Sequence, residues 1–173
     1  MKLAALVFGL ALVAGSVLAA CGSRVGQDGE SPNGSNGVTK VAVANPHKPD
    51  YSGVFNWGLK VSNVDELFFV SGFAATDVAG TVQYPGDATA QTDFILRHIE
   101  AFIKENGYRT TDIIRFEITV TKDVPPDHFP AILDRLAEFF SGVEVKPAGG
   151  PWRIVHGLIG PDMLVELEFW LAR

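Results

Sequence analysis

The chain has 173 residues, 47% of them hydrophobic and 20% charged, with a formal net charge of −6. That is apolar material for one folded domain with its own core. An acidic balance without clustered Lys and Arg excludes a nucleic-acid partner, which needs basic groups facing phosphates.

The first element is a leader. Lys2 gives a positive start, and Leu3 to Leu18 is apolar apart from Gly and Ser. Leu18-Ala19-Ala20 then leads to Cys21, the single cysteine of the chain. The run is shorter than the ~20 residues of a spanning helix, and its small-residue end fits cleavage better than an uncleaved membrane helix. Residues 1–20 therefore read as a bacterial lipoprotein signal peptide. Cleavage before Cys21 leaves its thiol and new amino group to be acylated, and the multiple chains give a stable membrane attachment that one would not. The expected location is the cell envelope, lipid-anchored, with Gly22 rather than Asp after the cysteine pointing to the outer membrane or periplasmic face. With Cys21 lipidated, no disulfide is available to the domain.

Residues 21–45 read as a flexible tether. Gly, Ser, Asn and Asp dominate from Gly26 to Gly37, too polar a stretch to offset its chain entropy by burial. At its end, the β-branched run Val38 to Val43 is either a first strand or the last of the tether.

Residues 46–173 read as the folded domain. Val54–Val61 and Glu66–Ser71 look like two strands, with Asn63-Val64-Asp65 as the turn between them. Asp87 is the expected N-cap of a helix that Gly107 stops; Ile95, Ile99, Phe102 and Ile103 recur on one face. Asp112–Thr121 alternates as a long strand. Pro125 and Pro126 open a second helix with the stripe Phe129, Ile132, Leu133, Leu136, Phe139 and Phe140, ended by Gly142. Gly149-Gly150-Pro151 reads as a turn. Strands over about Trp152–Leu158 and Met163–Ala172 complete the chain. Strands with helices on one side give an α+β, two-layer sandwich.

Several pieces in order carry a family resemblance. They are Tyr51-Ser52, Phe69-Val70-Ser71-Gly72, Gly86-Asp87 with Gln91, Asn106-Gly107, Thr119 to Asp123, Phe129 and Phe139-Phe140. The most specific is Leu158-Ile159-Gly160-Pro161-Asp162-Met163-Leu164-Val165-Glu166-Leu167-Glu168. Over residues 51–173 the chain resembles the RidA (YjgF) family. The resemblance implies a chorismate-mutase-like homotrimer, with strands forming an inner barrel, helices outside, and a cleft between each pair of subunits. Its best-known branch hydrolyses reactive enamines and imines to a keto acid and ammonia. There an arginine in a Pro-Ala-Arg-Ser/Thr motif grips the substrate carboxylate, and a last-strand carboxylate positions water or passes a proton.

By that resemblance Tyr51, Ser71 and Gly72 are candidate ligand-binding residues and Glu166 the candidate catalytic carboxylate. The arginine motif instead reads Pro147-Ala148-Gly149-Gly150-Pro151, Phe73 replaces a Gln, and Leu133 replaces an Asn. Arg153 is the candidate replacement cation, on the face of its strand opposite Trp152, Ile154 and His156. Glu166 and Glu168 share one strand face, about 7 Å apart; Glu168 reads as structural. His47, His98, His128 and His156 fall on different elements, so no metal site or other cofactor is expected. Ser71 has no His or Asp partner of the nucleophile-elbow kind. Two functions remain open: a deaminase-type hydrolase of small imine-like metabolites, or a non-catalytic trimer that binds a small, unidentified ligand or a partner.

Overall fold

The computed structural model describes residues 37–173. The signal peptide, Cys21 and residues 22–36 of the expected tether lie outside the described residues. Of the two alternatives for Val38–Val43, the strand is the one observed.

The strands are β1 (Thr39–Val43), β2 (Gly58–Ser62), β3 (Leu67–Ala74), β4 (Ile113–Thr121), β5 (Ala148–Val155) and β6 (Val165–Ala172); the helices are α1 (Ala88–Glu105) and α2 (Phe129–Phe139). β1 and β2 form an antiparallel pair of their own, and the main sheet has the order β3-β6-β4-β5. β6 is antiparallel to both neighbours, while β4 and β5 run parallel. Two helices on one side of a mixed sheet make the expected two-layer α+β sandwich. Among the described residues no helix is long and apolar enough to cross a membrane.

Local sequence accounts for α1. The Asp87 carboxylate accepts the Ala90 N–H at 2.9 Å as an N-cap. At the other end Gly107 takes a φ of 80°, and the Gly107 and Tyr108 amides donate back to Lys104 and Ile103 carbonyls. That pattern needs a left-handed residue, which glycine supplies without strain. Ile95, Ile99 and Ile103 are fully buried, as are Ile132, Leu136 and Phe140 from the second helix region. A 3-10 turn over Pro126–His128 precedes α2, so the helix proper starts at Phe129 rather than at the prolines.

β6 divides the two sheet faces. Val165, Leu167, Phe169 and Leu171 are buried under the helices, and Glu166, Glu168 and Trp170 take the opposite face. Among the described residues that second face has no covering layer, and Leu67 and Phe69 are 50% and 65% exposed.

One expectation is refined and one corrected. Strands do flank Asn63-Val64-Asp65, but they do not pair with each other: β2 pairs with β1, and β3 pairs with β6. The turn exists, with Asn63 at a φ of 58°, but it carries the chain from one sheet to the other. Burial explains the choice. Phe68, Val70 and Phe73 pack with the core, while Gly58-Leu59-Lys60-Val61-Ser62 has little to bury. Second, Gly149-Gly150-Pro151 is not a turn but part of β5. β5 is an edge strand, where a proline removes no needed ladder bond.

Candidate functional site

Two of the register shifts in the main sheet re-aim a candidate group. In β3, Val70 pairs with Phe169 and Phe73 with Leu167, so Ser71 and Gly72 together oppose Glu168. This bulge leaves both residues exposed on the open face. The Glu166 carboxyl lies across it. A Cβ placed on Gly72 would stand 2.6 Å from the Glu166 Cδ, so only glycine lets the carboxyl settle there. Burial against the bulge pushes the Glu166 carboxyl up from its ordinary value, and the Glu168 charge adds to it. The structure thus brings Glu166, Ser71 and Gly72 together.

The second bulge is in β5. Phe116 pairs with Gly149 and Ile118 with Trp152, so Gly150 and Pro151 oppose Glu117. Glu117 is only 7% exposed and holds two arginines. Arg115 donates from Nη2 at 2.8 Å and from Nε at 3.2 Å to one carboxylate oxygen, and Arg153 Nη2 pairs with the other. Burial by itself would raise the Glu117 pKa; the hydrogen bonds and charges of both guanidiniums outweigh it and hold the group below the usual carboxylate range. The Arg115 guanidinium also lies over the Trp170 ring, 5.5 Å from its centroid.

Arg153 therefore faces the open side of the sheet, opposite Trp152, but with its guanidinium engaged by Glu117. Thr119 pairs with Arg153 on one side and Glu166 on the other. The two candidate catalytic groups are thus two strand spacings apart at the backbone, about 10 Å.

Both glycines of the altered motif are enclosed. A Cβ on Gly149 would stand 2.6 Å from the Phe55 ring, and one on Gly150 2.5 Å from Glu117 Cγ and 2.8 Å from the Phe116 carbonyl oxygen. An arginine at either position has no room to leave the backbone.

Tyr51 lies beyond the β5 edge, apart from Ser71, Gly72 and Glu166. It stacks on Phe55 with centroids 5.1 Å apart and meets Trp57 edge-on at 5.9 Å. The segment is tied to β5 by Asn56, whose amide donates to the Pro147 carbonyl and whose carbonyl accepts from Gly149. A cavity of about 380 Å³ opens here, lined by Tyr51, Phe55, Trp57, Leu133 and Trp152 among others. Leu133 thus faces a cavity, whereas Phe73 packs against Phe102 on the helix side, centroids 5.5 Å apart.

Sequence reasoning missed Glu117 and Arg115. Within an alternating strand, Arg115-x-Glu117 reads as an ordinary solvated face. The signal that pointed to them was the Gly-Gly pair, since paired glycines in a strand mark a close approach by something bulky. Phe55 and Trp57 were passed over as strand residues.

No family model matches the chain. Solved structures do share its fold. A Yersinia pestis protein of unknown function, YyfB, of the conserved Rid protein family, superposes with a TM-score of 0.69 at 20% identity, covering 78% of this chain and 98% of that one. Rv2704 from Mycobacterium tuberculosis, a member of the YjgF/YER057c/UK114 family, gives 0.51 at 21% identity, covering 78% and 100%. The yeast protein YEO7 gives 0.54 at 18%, covering 78% and 99%. The two helices on a mixed sheet are thus the fold of Rid proteins.

Proposed function

We propose that this chain is a lipid-anchored envelope protein that assembles as a closed trimer of the Rid kind. Its clefts bind a small molecule without the carboxylate clamp that enamine deamination needs. One observation carries the second part. The arginine's place is filled by Phe55 and Glu117, and the nearby Arg153 is paired with Glu117. A bidentate guanidinium–carboxylate grip is among the strongest polar contacts, and no other side chain reproduces it.

The bare sheet face supports the trimer. Leu67 and Phe69 lie exposed beside Trp170 on a layer with nothing over it among the described residues, and exposed apolar faces of this kind mark sites of association. A neighbouring copy would also supply what one protomer separates, setting its own Tyr51 cavity against the Glu166, Ser71 and Gly72 group. Cys21 acylation supports the anchor only through its place after Leu18-Ala19-Ala20.

A hydrolase is the second reading, favoured by one feature. Glu166 sits half-buried against a bulge, and burial raises its pKa, the direction that lets a carboxyl hold and pass a proton more readily. Such an enzyme would take imines or amides that carry no carboxylate. Ammonia release from imines made in situ separates the readings. The binding role predicts no turnover of any imine. Turnover of neutral imines that is abolished in Glu166→Gln supports the hydrolase instead, and robust turnover of carboxylate-bearing imines refutes both.

A further inference from the structure

The cavity beside Tyr51 carries its own chemical preference. None of the residues lining it is charged. Its walls are the rings of Tyr51, Phe55, Trp57, Phe116 and Trp152, closed by Leu133. Phe55 meets Trp57 edge-on at 5.5 Å and Phe116 edge-on at 6.3 Å, so the walls present both faces and edges of rings. Backbone donors at the rim are already used, Gly149 N–H by the Asn56 carbonyl and Asn56 N–H by the Pro147 carbonyl. The Trp152 ring packs on Phe129 with centroids 4.9 Å apart, which holds it as a fixed wall.

We infer that this cavity takes an uncharged planar ring compound. It rests on the ligand-binding role proposed above and names the class of ligand. Ring walls favour a planar guest through offset and edge-on contacts. A volume of about 380 Å³ is at the small end of ligand sites and suits one or two fused rings. An anion entering would lose its hydration with no cation to meet it, because Arg153 and Arg115 are turned to Glu117 on the other side of the strand.

Benzamide and benzoate form a matched pair of probes, alike in shape and differing in charge. They are titrated by saturation-transfer NMR into the full-length lipidated protein held in nanodiscs. The expected result is at least about tenfold tighter binding of benzamide, a difference of about 1.4 kcal/mol. Trp57→Ala removes one ring wall and should cost benzamide several-fold. Leu133→Trp fills the cavity and should abolish binding. Benzoate binding as tightly as benzamide, binding of neither probe, or benzamide binding indifferent to both substitutions overturns the inference. The first of these outcomes leaves the ligand-binding role standing, since that role is tested separately by the ammonia-release experiment.

Discussion

Glu117 is the residue on which the local electrostatics turn. It is buried, and its single negative charge pairs with two guanidiniums, one on each carboxylate oxygen. Both arginines are more than two-fifths exposed and can rehydrate, so Glu117→Gln should cost only about 1–2 kcal/mol, read as a lower Tm. The pH dependence follows from the direction of the shift. A carboxyl held below its unfolded value stabilises the fold at pH above that unfolded value, about 4.3, and loses the stabilisation as pH falls through the folded one. The Tm gap between wild type and Glu117→Gln should therefore be full near neutrality and close as the solution is acidified below about pH 4. Glu166 has the opposite sign. Its raised pKa means that ionisation costs stability as pH rises through and above the usual glutamate value. Glu166→Gln should thus match wild type in acid and gain on it toward neutral pH. A Tm difference that does not move with pH in either variant would contradict these assignments. None of this was legible in the sequence, where Glu117 is one more polar residue on an alternating strand; its burial depends on arginines from its own and the neighbouring strand.

Bulges are what turn an ordinary sheet into a candidate site. The Ser71-Gly72 bulge seats Glu166, and the Gly150-Pro151 bulge seats Glu117. Adding one methyl at each should have different effects. At Gly72 the new Cβ meets only the end of the Glu166 side chain, which can swing away. Gly72→Ala should fold with little loss of Tm, and the Glu166 titration followed by NMR should return toward an ordinary glutamate value. At Gly150 the new Cβ meets the Phe116 carbonyl as well as Glu117. Backbone cannot yield so cheaply, and Gly150→Ala should lose about 1–3 kcal/mol. Equal stability of the two variants would refute the difference in surroundings. The helices were readable in advance because Asp87, Gly107 and the isoleucine spacing are local signals. The fate of β2 and β3 was not, because which strand pairs with which is set by distant partners in the core. Gly149-Gly150-Pro151 misled for the same reason: turn chemistry and an edge-strand bulge use the same residues.

At the scale of the whole molecule, the fold was legible from the order of strands and helices and from the motifs of residues 51–173, and it is the fold of Rid proteins. The homotrimer was expected only from the family resemblance, and what supports it here is the surface around Leu67 and Phe69, which is exposed among the described residues. The soluble Cys21→Ser protein should run as a closed trimer by light scattering at micromolar concentration, and Phe69→Asp should shift it toward monomer; a wild-type monomer would remove the shared clefts. Mass spectrometry of the native protein should find acyl mass on Cys21, and identical membrane fractionation of Cys21→Ser would refute the anchor. The central claim is that this cleft has no free guanidinium for a carboxylate. A crystal structure of the assembled protein soaked with pyruvate, the simplest keto-acid product of that chemistry, tests it most directly. Arg153 should remain paired with Glu117, and no pyruvate should be held by an arginine. Pyruvate gripped through its carboxylate by an Arg153 that has left Glu117 would contradict the account.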